Sequence, residues 1–242
     1  MGKKFAVFDI DGTIVRWQLF HALSDALIRS GHFKEKDFRA AKDARMAWKR
    51  RTGRDAYDTY ENTLVRAYEG AIRRVPRDEF LKVMDEAFDE YKRQTYTYTR
   101  NLIRKLRKEG YLLFAISASP QEIVKRFAAF YGFDDFGGSV YQHKNNYFTG
   151  ENTVLKREEK PRLLRELVKK HEGTFSESYA VGDSESDIPM LETVARPIAF
   201  NPTGLLLKHA QDKGWKIVIE RKNVVYELTK GDKEYAVTTS VS

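Results

Sequence analysis

The sequence predicts an α/β protein whose core is a doubly wound, mostly parallel sheet, with an all-helical domain inserted after the first strand. Two observations indicate this fold. From about residue 97 onward, short apolar runs alternate with amphipathic segments, as in sheets that helices cover on both faces. From Trp17 to about Tyr96, no strand-like run interrupts four helical segments. We therefore expect a discontinuous core of residues 1–14 and 96–221, a helical domain of residues 15–95, and a C-terminal hairpin or tail of residues 222–242.

The composition is typical of a globular protein that is long enough for a well-covered core. Hydrophobic residues make up 41% and charged residues 32% of the 242 positions, and no apolar run approaches the length of a membrane span. The chain has no cysteine, which excludes a disulfide and a thiolate metal site. We therefore expect a soluble protein of the cytoplasm.

The formal net charge of +8 is compatible with a nucleic acid, a membrane surface or an anionic small molecule as the partner. The basic residues are spread along the chain, and the densest group is "RMAWKRRTGR", Arg45–Arg54. A solvated helix face is the simpler interpretation of this group. We therefore do not expect a nucleic acid partner.

The first strand is predicted at Phe5–Phe8, an apolar run at the start of "FAVFDIDGT". The helical domain follows it. Its segments carry apolar residues at helical spacing and are separated by glycine or proline. They are "WQLFHALSDALIRSG", "KEKDFRAAKDARMAWKRRTG", "RDAYDTYENTLVRAYEGAIRRV" and "PRDEFLKVMDEAFDEYKRQ".

The rest of the chain alternates between helices and strands. The predicted helices are "TRNLIRKLRKEG", "SPQEIVKRFAAFYG", "KPRLLRELVKKHEG", "PMLETV" and "PTGLLLKHAQDKG". The predicted strands are "YLLFAIS", "SYAV", "PIAF" and "WKIVIE". Two hairpins are expected, "SVYQHKNNYFTG" with its turn at Asn145–Asn146 and "NVVYELTKGDKEYAVTT" with its turn at Lys230–Lys233.

Polar residues follow the apolar strands at the points where ligands bind in open α/β sheets. They are Asp9, Asp11, Ser117, Ser119, Asp183 and Asp187, with Ala118 between the two serines, and Lys160 opens a helix between the last two of these strands. Carboxylates clustered without histidine or cysteine suit a hard cation such as Mg²⁺. A hydroxyl, an ammonium and a metal together suit a phosphoryl group, whose oxygens need positive charge and hydrogen-bond donors.

Four segments in order resemble the motifs of the haloacid dehalogenase superfamily. They are "DIDGT", Ser117 in "AISAS", Lys160 in "KPRLLREL", and "GDSESDIPML". The neighbouring segments "ISASPQEIVKRFA", "FYGFDDFGGSV" and "YFTGEN" resemble the phosphoserine-phosphatase-like subclass, which carries a helical cap between the first and second motifs. The resemblance covers about residues 5–220 and implies a Rossmann-like core, with the helical domain as that cap.

The resemblance implies a role for each matching residue. Asp9 would be the nucleophile that forms an aspartyl-phosphate, and Asp11 the general acid and then the general base. Asp9, the backbone carbonyl of Asp11 and Asp183 would hold Mg²⁺. Ser117 and the following N–H, that of Ala118, would bind phosphate oxygens, and Lys160 would pair with the phosphate and with Asp9. Asp187 would orient Lys160 or a metal-bound water.

The substrate is less determined by the sequence. The subclass carries a glutamate nine residues after the nucleophile, which reads the amine of phosphoserine, and Gln18 occupies that position here. Phosphoserine is therefore not the expected substrate. Arg16, Trp17 and Gln18 lie where the core meets the helical domain and are candidates for substrate selection, although packing at the hinge explains Trp17 equally well.

The predicted function is a Mg²⁺-dependent phosphatase that hydrolyses a small phosphomonoester through an aspartyl-phosphate. Two alternatives stay open on the sequence alone. One is a phosphotransferase or mutase that uses the same intermediate. The other is a non-catalytic basic binding module on the same fold, which would show steep salt dependence of binding. The sequence alone does not determine the oligomeric state.

Overall fold

The computed structural model describes residues 2–53, 55–231 and 235–241. Its strands are β1 Lys3–Phe8, β2 Leu112–Pro120, β3 Asp135–Lys144, β4 Tyr147–Thr153, β5 Gly173–Gly182, β6 Arg196–Phe200, β7 Lys216–Arg221, β8 Val224–Lys230 and β9 Tyr235–Val241. Its α-helices are α1 Leu19–Arg29, α2 Arg39–Lys49, α3 Ala56–Ile72, α4 Arg77–Tyr91, α5 Thr97–Lys108, α6 Gln121–Tyr131, α7 Lys160–Lys170, α8 Ile188–Leu191 and α9 Gly204–Lys213.

The nine strands form one sheet in the order β4-β3-β2-β1-β5-β6-β7-β8-β9. The central pairs, from β3 to β7, are parallel, and the hairpins β3–β4 and β7–β8–β9 extend the sheet in antiparallel fashion at its two ends. Chain order reverses direction between β1 and β5, which are neighbours in space. The predicted fold class, a mostly parallel and doubly wound sheet, is therefore confirmed.

Alternate residues of the central strand pack on opposite faces of the sheet. Ala6 and Phe8 join the hydrophobic cluster that includes α5, α6 and the helices of residues 15–95. Phe5 and Val7 join the cluster formed with α7, α8 and α9. A strand buried on both faces explains why "FAVF" reads as a continuous apolar run rather than as an alternating one.

The helices α1 to α4 lie within the segment predicted to be all helical. The chain leaves and re-enters the core at two adjacent points. Val15 and Thr95 form an isolated β-bridge, the Arg16 N–H donates to the carbonyl of Gln94 at 2.9 Å, and the Tyr96 N–H donates to the carbonyl of Ile14 at 3.0 Å. We refer to this short ribbon as the junction and to residues 15–95 as the helical segment.

The C-terminal part of the described chain continues the sheet. β8 pairs with β7 and β9 pairs with β8, both antiparallel, so the predicted hairpin is present as an edge addition rather than as a tail. Part of its predicted turn, Lys230–Lys233, lies outside the described residues. The turn at Asn145–Asn146 is confirmed, and both asparagines have positive φ, at 51° and 64°. None of the described helices is long and apolar enough to cross a membrane.

Candidate active site

The candidate site lies at the carboxyl ends of β1, β2 and β5, where the sheet changes winding direction. β1 runs between β2 and β5. The residues that follow each strand therefore meet at one edge. The structure brings together Asp9, Asp11, Ser117, Lys160, Asp183 and Asp187, all of which the sequence placed at strand ends or at the start of a helix.

Lys160 is the first residue of α7 and is buried with only 2% of its surface exposed. Its ammonium donates to Asp9 Oδ1 at 3.1 Å and to Asp187 Oδ1 at 2.6 Å. Burial alone would lower the pKa of Lys160, but the charges of Asp187 and Asp9 outweigh burial and raise it. Lys160 therefore carries a fixed positive charge beside both carboxylates.

Asp187 is fully buried and uses both of its oxygens. Oδ1 accepts the Lys160 ammonium, while Oδ2 accepts the backbone N–H groups of Asp183 and Ser184, each at 3.1 Å. These bonds hold the loop after β5 and aim Lys160 at Asp9. The predicted orienting role of Asp187 is compatible with these contacts.

Asp9, Asp183 and Asp187 each offer an oxygen, and these oxygens lie within 4.8 Å of one another. Burial raises the pKa of Asp9, the charge of Lys160 opposes that rise, and the charge of Asp187 adds to it. Burial also raises the pKa of Asp183, and the charges of Asp9 and Asp187 raise it further. Lys160 supplies only one compensating positive charge within this group. Because hard oxygen ligands with excess negative charge suit a divalent cation, the residues fit Mg²⁺. Since the oxygens of Asp187 are already committed, Asp9 and Asp183 are the better side-chain ligands.

Gly12 permits this close approach of carboxylates. It has a φ of 77°, in the left-handed region that glycine occupies without strain. A Cβ at this position would collide with the Asp183 carboxylate. The glycine of "DIDGT" therefore has both a conformational and a steric reason to be there.

Asp11 has a different set of partners. Its Oδ2 accepts the hydroxyls of Ser117 at 2.5 Å and Ser119 at 2.9 Å, and its Oδ1 accepts the backbone N–H of Leu19 at 2.5 Å. Burial raises the pKa of Asp11, and the three hydrogen bonds oppose that rise. The carboxyl group is therefore biased toward keeping a proton while donors still stabilise its ionised form.

Two of the predicted phosphate-binding residues, Ser117 and Ala118, lie near the end of β2. The Ser117 hydroxyl accepts the backbone N–H of Ser119 at 2.9 Å and is itself buried, whereas Ala118 is exposed. The Ala118 carbonyl accepts the hydroxyl of Ser139 at 2.5 Å, which fixes this peptide. Ser117 thus also contacts Asp11, to whose Oδ2 its hydroxyl donates.

The three candidates for substrate selection lie at the start of the helical segment. Arg16 donates to the carboxylate of Glu220 at 2.7 Å and to the carbonyl of Thr95 at 3.1 Å, so its guanidinium braces the junction. Trp17 packs edge-on to His21, with ring centroids 6.2 Å apart. Gln18 is the residue before α1. A role in substrate selection stays a prediction for all three residues.

The basic group Arg45–Arg54 belongs to the end of α2 and the loop that follows, and Arg54 lies outside the described residues. Arg45 is held by both oxygens of Asp25, at 2.9 and 3.1 Å, and its guanidinium lies 5.4 Å from the Trp17 ring. This arginine is therefore committed to the packing of the helical segment.

Sequence reasoning missed the wall that α3 presents to the site. His21 packs on Tyr60 at 4.7 Å and on Tyr57 at 6.5 Å between ring centroids, and burial lowers its pKa to about 3, so it is neutral. Glu61 follows Tyr57 by one helical turn on the same face. Glu61 is exposed to solvent, yet desolvation by its surroundings raises its pKa, and the charges of Asp58 and Asp11 raise it further.

Ser119 was noted in the sequence but given no role. It follows Ser117 by two residues in an extended segment, which places both hydroxyls on the same side of the chain. That spacing was the available signal for its contact with Asp11. No local signal marked Glu61, because its place depends on how α3 packs over α1.

Most of this sequence can be aligned with known proteins. A model of the haloacid dehalogenase-like hydrolase family matches residues 6–192. A histidinol-phosphatase of Neisseria meningitidis is 23% identical over 229 residues, which covers 89% of this chain and 98% of that protein. Phosphoserine phosphatase SerB1 of Mycobacterium tuberculosis is 28% identical over 142 residues, and the matched part spans 46% of its length.

Solved structures share the fold. A protein of unknown function from Bordetella pertussis superposes with a TM-score of 0.73 at 22% identity, covering 91% of this chain and 99% of that one. A phospho-aspartyl intermediate analogue of phosphoserine phosphatase superposes with a TM-score of 0.65 at 19% identity, covering 92% and 95% of the two chains. At these identities the likeness concerns the fold alone.

Proposed function

Because the chain belongs to the haloacid dehalogenase-like hydrolase family, we propose that it is a Mg²⁺-dependent phosphatase that hydrolyses a small phosphomonoester through an aspartyl-phosphate on Asp9. One observation carries the proposal. Asp9 stands at the end of the central strand, paired with the buried Lys160 at 3.1 Å and two residues before the proton-biased Asp11. A nucleophile for phosphorus and a proton donor for the leaving oxygen can thereby reach the same bound phosphoryl group.

In the first step, Asp9 attacks phosphorus and the ester P–O bond breaks. Asp11 gives its proton to the departing oxygen, so the alcohol leaves neutral and Asp11 becomes a carboxylate. In the second step, Asp11 takes a proton from water as the water oxygen attacks phosphorus. The bond from phosphorus to Asp9 breaks, inorganic phosphate leaves, and both aspartates return to their starting states.

Other residues hold the phosphoryl group during both steps. Lys160, with its fixed positive charge, offsets charge on the phosphate oxygens, and Ser117 with the Ala118 N–H donates to them. Asp9, the Asp11 carbonyl and Asp183 would hold Mg²⁺, which when bound reduces the repulsion between the Asp9 carboxylate and the phosphate dianion. Asp187 keeps Lys160 in place through the 2.6 Å contact.

We propose further that the helical segment acts as a cap that closes over the site and excludes bulk water. The Asp11–Leu19 hydrogen bond joins the first helix of the segment to the proposed proton donor. Residues 15–95 as a separate domain, and the cytoplasm as the location, stay predictions.

The wall on α3 bears on the substrate class. Glu61 would repel a second anionic group on the substrate, whereas it would attract a cationic one. The two named relatives are called after phosphoserine and histidinol phosphate, which are esters of molecules with an amino group. We therefore favour a phosphomonoester whose alcohol carries an amine and, unlike phosphoserine, no carboxylate.

The test is Mg²⁺-dependent release of inorganic phosphate from p-nitrophenyl phosphate and from a panel of phosphorylated metabolites. We expect turnover by the wild-type protein with Mg²⁺, none with a chelator, and none by Asp9→Asn. Undiminished turnover by Asp9→Asn would refute the mechanism. Release from phosphoserine equal to that from the best substrate would refute the preference against a carboxylate.

A further inference from the structure

The two edges of the sheet are finished in different ways. At one edge, β4 is covered by the chain that joins α3 to α4. Pro76 forms a β-bridge with Tyr147, the Arg77 N–H donates to the Asn146 carbonyl at 2.7 Å, and Phe80 packs edge-on to Phe148 at 5.0 Å. These contacts keep another strand away from β4.

The other edge, β9, lacks such protection within the described residues. No described strand lies beyond it. Its sequence, "YAVTTSV", contains no charge and no proline in a chain that is 32% charged. Natural proteins usually block a free strand edge with charge, proline or a bulge, because an open edge pairs with other strands. An unblocked edge of seven residues is therefore a surface that another strand fits.

Exposed apolar side chains lie beside this edge on one face of the sheet. Ile219 is opposite Tyr226, which is opposite Thr239. Val237 lies next to this row, opposite Leu228. Ile219, Tyr226 and Val237 are 37%, 39% and 59% exposed. The open edge and an apolar strip thus coincide, which is the usual mark of an interaction surface.

We propose that β9 pairs with β9 of a second copy of this chain in antiparallel orientation, forming a two-fold symmetric dimer with one continuous sheet. The strand fits itself. In a pairing centred on Thr238, Val237 of one copy stands opposite Thr239 of the other, and no charge meets a like charge across the axis. With the axis perpendicular to the sheet, the two apolar strips lie on the same face and adjoin each other.

The first test measures mass by analytical ultracentrifugation over a range of protein concentrations. The wild-type protein should sediment at twice the chain mass of 28.2 kDa. Thr238→Lys places two lysines face to face at the axis and should weaken dimerisation at least tenfold. Thr229→Lys, on β8 and not at the edge, is the matched control and should leave the dimer intact.

The second test uses the absence of cysteine in the chain. Thr238→Cys should be crosslinked to a covalent dimer by a short bifunctional maleimide, since residues at the axis of an antiparallel pair are direct neighbours. Thr229→Cys should not be, because strand spacing alone separates the two copies of residue 229 by about 14 Å. Circular dichroism and thermal unfolding check that each variant is folded.

Each contrary result would overturn the proposal. The first is a wild-type protein that stays at 28.2 kDa at about 100 µM, roughly ten times its assay concentration. The second is a dimer that Thr238→Lys does not weaken. The third is crosslinking that is equal at positions 229 and 238.

Discussion

Asp9 and Asp11 stand two residues apart after the same strand, yet their carboxyl groups have different surroundings. Asp9 is 4% exposed and faces the Lys160 ammonium and two further carboxylates. Asp11 faces two hydroxyls and one backbone N–H. The Lys160 charge opposes the rise that burial causes in the pKa of Asp9, whereas Asp11, half-buried, has only neutral donors against the same effect.

The comparison teaches that the different roles proposed for Asp9 and Asp11 come from the residues around them, because the two side chains are chemically identical. Both side chains reach the same side of an extended segment, so either could contact a phosphate. Only the fold, by placing α7 beside Asp9 and the end of β2 beside Asp11, separates their chemistry. Changing the partners of each residue should therefore change its function selectively.

The largest effect should come from removing the carboxylates themselves. We expect Asp9→Asn to lose about 10⁴-fold or more in kcat, and Asp11→Asn about 10²- to 10⁴-fold. With p-nitrophenyl phosphate, whose leaving group needs little protonation, Asp11→Asn should still form the aspartyl-phosphate but hydrolyse it slowly. Intact-mass spectrometry should therefore find one added phosphoryl group on Asp11→Asn and none on Asp9→Asn. The reverse pattern would exchange the two assigned roles.

The next effect concerns the charged partner of Asp9. Lys160→Met leaves Asp9 and Asp187 buried without their cation, and should lower the free energy of unfolding by about 3–5 kcal/mol. Lys156→Met is the matched control because this lysine is exposed, and it should change stability by less than about 0.5 kcal/mol. Urea unfolding without Mg²⁺ measures both. Equal stability of the two variants would show that the buried ion pair is not needed for folding.

A smaller effect should follow from removing one neutral donor of Asp11. The Ser119 hydroxyl stabilises the ionised form, so Ser119→Ala should raise the pKa of Asp11 further. A higher pKa leaves less Asp11 carboxylate at acidic pH to activate water. The acidic limb of the kcat profile should therefore move to higher pH, with about a tenfold loss on that limb and little loss at neutral pH. A limb that moves to lower pH would contradict the assigned base.

The smallest effect should come from outside the pair, at the α3 wall. Glu61→Gln should reduce kcat/KM about two- to fivefold for an amine-bearing phosphomonoester. It should leave kcat/KM unchanged for one of equal size without an amine. Asp58→Asn, which removes another exposed carboxylate of the same helix, is the control. A uniform loss on both substrates would make Glu61 a structural residue.

The catalytic edge could be predicted because its residues follow apolar strands directly. Asp9, Asp183 and Lys160 each stand at a strand end or a helix start that the sequence marks, and parallel topology brings such points together. The strand before Asp183 was predicted too short. β5 begins at Gly173, but Glu177 within it has a φ of 63° and the β1–β5 register shifts there. An irregular, polar start conceals a strand from pattern reading.

Contacts between distant segments could not be predicted. Arg16 is a candidate for substrate selection, and no local pattern marks its partner in the structure, Glu220, which lies 204 residues away. Glu61 reaches the site through the packing of α3 on α1, which depends on aromatic side chains with no local signature. These positions follow from tertiary packing, which the hydrophobic periodicity of the sequence does not encode.

The junction has a consequence for how this architecture is inherited. The two chain segments that enter and leave the helical segment are paired side by side, from Ile14 and Arg16 to Gln94 and Tyr96. An insertion whose two ends are neighbours costs little loop-closure entropy and leaves the host sheet undisturbed. The helical segment between these points can therefore be replaced by another inserted segment during evolution. Under the proposed function, the reaction would then stay with the sheet, while the choice of substrate would pass to the segment inserted at the junction.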